Sequence, residues 1–130
     1  MKPPVWIRLD VVLMVHEEAL MLHGGPEGIR DAGLLESALA RPQNLLAYSD
    51  QNVSLPSLAA AYASGIVANH PFVDGNKRAA FIVSLTFLKL NGLEVTATKE
   101  DRVLTFWRLA AGDLSGEQLT AWFERNTTPR

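Results

Sequence analysis

Residues 70–78, HPFVDGNKR, put one imidazole, one carboxylate, one amide and two cations into nine positions, directly ahead of a long apolar run. The run reads as a helix, and a helix starts at the positive end of its macrodipole. Each cation in the first turn costs about 0.3–1 kcal/mol unless something negative offsets it. Asp74 is the only carboxylate in the stretch. Three potential cations, His70, Lys77 and Arg78, around one carboxylate imply an absent anion. The unpaired N–H groups of a helix start make a ready site for one, and a phosphate chain is the commonest candidate. Asp74 has the chemistry to hold Mg2+ that bridges phosphate oxygens. His70, with a reference pKa of about 6.5, is mostly an unprotonated base at neutral pH and can take a proton from a hydroxyl.

Taken singly, the same residues have plainer readings. Asp74 or Asn76 reads as the cap of the helix that follows, and Lys77 and Arg78 as solvated side chains. Pro71 stops the preceding helix, and Phe72 anchors the loop to the core. His16 and His23 fall on an earlier helix, where His23 can serve the last carbonyls, so neither is assigned catalysis. Trp6, Trp107 and Trp122 read as core, and Leu119, Trp122 and Phe123 share one helix face. It is the combination at 70–78 that points to phosphate chemistry.

The elements that must position this stretch are helical. Asp10 can cap a helix over about 11–23, ended by Gly24, Gly25 and Pro26. Asp31 opens a second helix through LLESALA that Pro42 stops. Ser54, with Pro56 in the first turn, starts a third, LPSLAAAYASGIVAN, whose alanines and glycine let another helix approach closely. The fourth runs from about Asn76 to Asn91, ends at Gly92, and is apolar on nearly every side, the pattern of a central buried helix. Thr98 with Asp101, and Ser115 with Gln118, resemble capping boxes of two further helices. LEVTA, between the fourth and fifth helices, reads as a short strand. HPFVDG then becomes the tight connection between the third and fourth helices, with His70 beside the start of the fourth.

Residues 41–54, RPQNLLAYSDQNVS, make a long connection in this scheme. It is either a loop held to the core by Leu45, Leu46 and Tyr48, or a mobile flap beside the site.

A chain of 130 residues, 48% hydrophobic, has the size and material for one core, so a single all-α domain over 1–130 is expected. A net charge of -2 argues against coating nucleic acid. The absence of cysteine excludes disulfides, thiolate metal sites and a cysteine nucleophile. With no signal-peptide pattern and no run able to span a bilayer, a cytoplasmic location without membrane contact is expected.

HPFVDGNKR also resembles the motif of the Fic/Doc family, His-x-Phe-x-Asp/Glu-Gly/Ala-Asn followed by Lys-Arg or Gly-Arg. Its Lys-Arg form is similar to the Doc, or death-on-curing, toxin branch, as are HGGPEGIRDAGLLESALARPQ at 23–43 and LTFLKLNGLEV at 85–95. The resemblance implies a Fic-fold helical bundle in which His70 is the catalytic base and Asp74 engages the Mg2+ that accompanies ATP. It further implies that the Gly75 and Asn76 amides, the Asn76 side chain, Lys77 and Arg78 bind phosphate, and that the family's flap before the motif falls at 41–54. The activity implied is a kinase, transferring the gamma-phosphoryl group to a threonine of a translation factor such as EF-Tu, arresting translation, and silenced by a Phd-like antitoxin. AMP-transferring relatives carry Gly-Asn-Gly-Arg-x-x-Arg, whereas Lys77 stands here at the small position and Phe81 at the second arginine's, which favours phosphoryl over adenylyl transfer. TAWFE at 120–124 resembles the start of the family's inhibitory helix but continues with Arg125, so inhibition is expected from another chain. Adenylyl transfer and a catalytically inactive binding module of the same fold are the alternatives.

Overall fold

The computed structural model describes residues 3–49 and 53–130. In chain order it holds α1 (Leu9–His23), α2 (Ala32–Tyr48), α3 (Leu55–Asn69), α4 (Asn76–Leu90), β1 (Leu93–Val95), α5 (Lys99–Ala110), α6 (Gly116–Arg125) and β2 (Thr127–Pro129). The fold is all-α in character, with a two-stranded antiparallel ribbon that pairs Leu93 with Pro129 and Val95 with Thr127. β1 falls where LEVTA placed it.

α3 and α4 form the centre. Leu58, Tyr62, Ala63 and Ile66 of α3 are fully buried, as are Ala80, Phe87 and Leu88 of α4, and α2, α6 and α1 close around the pair. The small residues of α3 act as anticipated. At Gly65 an added Cβ would stand 3.3 Å from the Ala38 Cα and 3.2 Å from its carbonyl oxygen, so α2 crosses α3 almost backbone to backbone. Leu119, Trp122 and Phe123 all turn one face of α6 inward.

Four helix starts are capped as the sequence suggests: the side chains of Asp31, Ser54, Thr98 and Ser115 accept backbone N–H groups of their own first turns. The box is complete only at Ser115 and Gln118. At α5 the Asp101 carboxylate instead receives the Trp122 indole N–H, at 3.1 Å. Asp10 is not a cap. α1 begins two residues earlier, with Arg8 at the N-cap, and Asp10 lies in the first turn paired with Arg8 at 3.0 Å.

The main departure is at Pro42, which does not stop α2. A proline inside a helix forfeits one hydrogen bond and costs about 3 kcal/mol or more, yet Leu35, Ala38 and Pro42 recur at helical spacing and all lie buried. Ending the helix at residue 41 would strip that stripe from α3. The carbonyl that loses its donor belongs to Ala38, the residue seated against Gly65. Residues 41–48 are therefore helix rather than loop or flap; of the three expected anchors Leu46 packs on the core, while Leu45 and Tyr48 are exposed. The rest of the anticipated flap includes residues 50–52, which lie outside the described residues. Trp107, read as core, is 61% exposed.

Candidate active site

α3 ends at Asn69, and His70 is its C-cap, in the left-handed conformation (φ 50°, ψ 54°). It is the only non-glycine residue with positive φ among the described residues. That conformation costs about 1–2 kcal/mol for a residue with a Cβ, and the surroundings over-determine it. The His70 N–H donates to the Ile66 carbonyl. The Arg30 side chain donates to the carbonyls of His70 and Asn69 at 2.7 and 2.8 Å, a cation placed where the α3 dipole is negative.

Residues 71–75 are strapped on both sides. The segment ahead of α2 lies antiparallel to them, with Ile29 opposite Phe72; Arg30 and Asp31 donate backbone N–H groups to the Pro71 carbonyl, and Val73 donates to the Gly28 carbonyl. Phe72 is fully buried, its ring stacked on His16 at a centroid distance of 3.8 Å. Asn76 is 5% exposed, and both ends of its amide are engaged: Oδ1 accepts the Phe72 N–H at 2.9 Å and Nδ2 donates to the Phe72 carbonyl at 3.0 Å. Neither Asn76 nor Asp74 caps α4. The N-cap is Gly75, left-handed at φ 78°, with no side chain to offer, so the first-turn N–H groups of α4 have no capping side chain.

Those N–H groups border a cavity of about 410 Å³ lined by His70, Asp74, Gly75, Asn76, Lys77 and Arg78, with Val67 and Ala110 behind. Every polar residue singled out at 70–78 thus meets at one cavity, with the Asn76 side chain turned into the loop and its backbone left at the helix start. The Asp74 carboxylate accepts the Gly75 N–H through Oδ1. Its Oδ2 occupies the space that a side chain at Gly25 would fill, 2.5 Å from where that Cβ would stand. Among the described residues Lys77 and Arg78 have no carboxylate partner, and the sole ion pair there joins Arg8 and Asp10. The Lys77 ammonium lies 5.1 Å from the centre of the Trp107 ring, and Phe81 packs edge-on against Phe106. The site is therefore a cationic, donor-rich recess with one carboxylate and one accessible imidazole, a composition suited to a phosphate chain beside a hydroxyl nucleophile.

Two contributors escaped the sequence reading. His16 is buried within α1, and its Nε2–H donates to the Asp74 carbonyl at 2.7 Å; the available signal was a histidine on the same helix face as Val12, Ala19 and Leu20. Arg30 gave no comparable signal, since its partners lie about forty residues away in sequence.

The Fic/DOC family pattern matches residues 6–88. Toxin Doc of Mycolicibacterium smegmatis is 43% identical over 74 residues, a match that spans 57% of this chain and 57% of the relative. Protein kinase doc of Escherichia phage P1 is 32% identical over 106 residues, 82% of each chain.

Proposed function

Because the chain belongs to the Fic/DOC family, we propose that it is the toxin of a toxin–antitoxin pair and a protein kinase that moves the gamma-phosphoryl group of ATP to a hydroxyl. The observation that carries this reading is the uncapped start of α4, open to the cavity between His70 and the unpaired Lys77 and Arg78. The expected acceptor is a threonine of a translation factor such as EF-Tu, so that translation arrests.

His70 takes the proton of the hydroxyl. The hydroxyl oxygen forms a bond to the gamma-phosphorus as the bond from that phosphorus to the beta–gamma bridging oxygen breaks, and ADP leaves with that oxygen. Phosphoryl transfer of this kind depends on positioning and on fixed positive charge. Here the α4 N–H groups, Lys77 and Arg78 supply the charge, and the clamped loop supplies the positioning. Phe81, packed on Phe106, has no group for phosphate, which supports gamma over alpha transfer.

The residues present fit Mg2+ in one mode. Among the described residues no cluster of three metal-ligating side chains exists, but Mg2+ is commonly held by one carboxylate together with substrate phosphates and water. Asp74 would hold it through Oδ2, which accepts no hydrogen bond from the described residues and has its place only because residue 25 is a glycine. When bound, the ion neutralises phosphate charge.

An inhibitor from a separate chain, a Phd-like antitoxin, completes the proposal. In TAWFE, Trp122 and Phe123 are buried in the core of α6, and the helix ends at Arg125, which supports reading that segment as structural. Incubation of the protein and its target with ATP labelled at either the alpha or the gamma position tests the reaction. Label from gamma alone is expected on the target; label from alpha would overturn the kinase reading in favour of adenylyl transfer.

A further inference from the structure

An anion cavity has to be free of carbonyl oxygens as well as rich in donors. Four of the five carbonyls of residues 70–74 are drawn off: that of His70 by Arg30, that of Pro71 by the N–H groups of Arg30 and Asp31, that of Phe72 by Asn76, and that of Asp74 by His16. The Asp74–Gly75 peptide differs from the others in one respect. Its following residue is a glycine at φ 78°, and glycine populates positive and negative φ about equally. That peptide can therefore rotate as a unit at little backbone cost, as in the interchange of two turn types. Rotation would swing the Asp74 carbonyl from the core toward the start of α4, where the anion is to lie.

Two contacts oppose rotation: Asp74 Oδ1, which accepts the Gly75 N–H of the same peptide at 2.8 Å, and His16, which holds the carbonyl end. The ring is 4% exposed and lies nearly parallel to Phe72, at 12°. It abuts Gly75 so closely that a Cβ there would be 3.4 Å from Nε2. The same Nε2–H makes the 2.7 Å hydrogen bond to the Asp74 carbonyl. We propose that His16 is a positioning residue for anion recognition: it latches the Asp74–Gly75 peptide carbonyl inward, so that this peptide presents no acceptor to the bound phosphates. The inference rests on the phosphate-binding reading above. His16 acts through Asp74 and Gly75 and touches neither substrate nor nucleotide.

Two substitutions of similar length separate the latch from the packing. His16→Gln retains an N–H donor, whereas His16→Met has none, and both lose the ring stack. Binding of inorganic triphosphate to the full chain is measured by calorimetry, alongside the Gly75 amide resonance in a 15N–1H correlation spectrum. The Met variant is expected to bind triphosphate about tenfold more weakly than the Gln variant, because a preorganised donor array is interrupted by an acceptor. Its Gly75 resonance should be displaced, and that of the Gln variant close to wild type. Equal affinities, with Gly75 unmoved, would overturn the proposal. Should the Met chain fail to fold, His16→Phe, which keeps the ring without the donor, takes its place against wild type with the same two readouts. A wild-type protein that binds no triphosphate would instead refute the phosphate reading, and the Gly75 resonance would still report whether His16 sets the peptide.

Discussion

Asn76→Ala separates a helix-start ligand from a loop brace. The Asn76 amide makes two buried hydrogen bonds, to the Phe72 N–H and to the Phe72 carbonyl, and Phe72 is itself fully buried. Alanine leaves both backbone groups without a partner where water cannot easily reach. Each orphaned group costs about 1–3 kcal/mol, and the better helix propensity of alanine returns only about 0.5 kcal/mol. The expected loss is therefore about 1.5–5.5 kcal/mol, a fall in Tm on the order of 10 °C for a domain of this size. Urea denaturation followed by circular dichroism reads it as a lower midpoint with an unchanged slope. Lys77→Ala is the control: Lys77 is its neighbour, exposed and without an ion pair among the described residues, and loses only its contact with the Trp107 ring, so stability should shift by less than about 1 kcal/mol. An Asn76→Ala loss as small as that of Lys77→Ala would refute the reasoning, and would mean that the side chain is free to serve the cavity directly.

Other substitutions test the remaining assignments. His70→Ala should fold with a stability change below about 0.5 kcal/mol, because His70 is exposed, while phosphoryl transfer falls about 100- to 10,000-fold; a folded variant that still arrests growth at the wild-type rate contradicts it. Gly65→Ala puts a Cβ within 3.3 Å of α2 backbone atoms and should destabilise by about 1–3 kcal/mol through overpacking, measured by thermal denaturation. Burial raises the Tyr62 hydroxyl above its ordinary value, against a smaller opposing effect of the Ile7 N–H that it accepts. Above a pH of about 10 the unfolded chain then releases a proton that the folded chain keeps, so stability falls as pH rises. Tm should drop more steeply between about pH 9 and pH 11 in wild type than in Tyr62→Phe.

Sequence alone determined what depends on neighbours three or four positions away. The caps at Asp31, Ser54, Thr98 and Ser115, the exits at Gly24 and Gly92, and the apolar run of α4 could all be read from the chain, because a cap satisfies N–H groups of its own first turn and a buried helix carries its own pattern. The gathering of His70, Asp74, Lys77 and Arg78 was equally legible, since a short connection between two packed helices leaves them little room to separate. Tertiary structure decided the rest. Pro42 stays inside α2 because the face it shares with Leu35 and Ala38 gains more from burial on α3 than the helix loses in one hydrogen bond, a balance invisible to local propensity. Asn76 became the brace of the loop rather than a cap because Phe72 is buried beside it and its backbone groups need partners. His16 and Arg30 reach Asp74 and His70 across separations of 58 and 40 residues. No spacing rule connects positions so far apart; the packing of α1 and of the 28–31 strap brings them to the loop, and the need to satisfy its buried carbonyls holds them there.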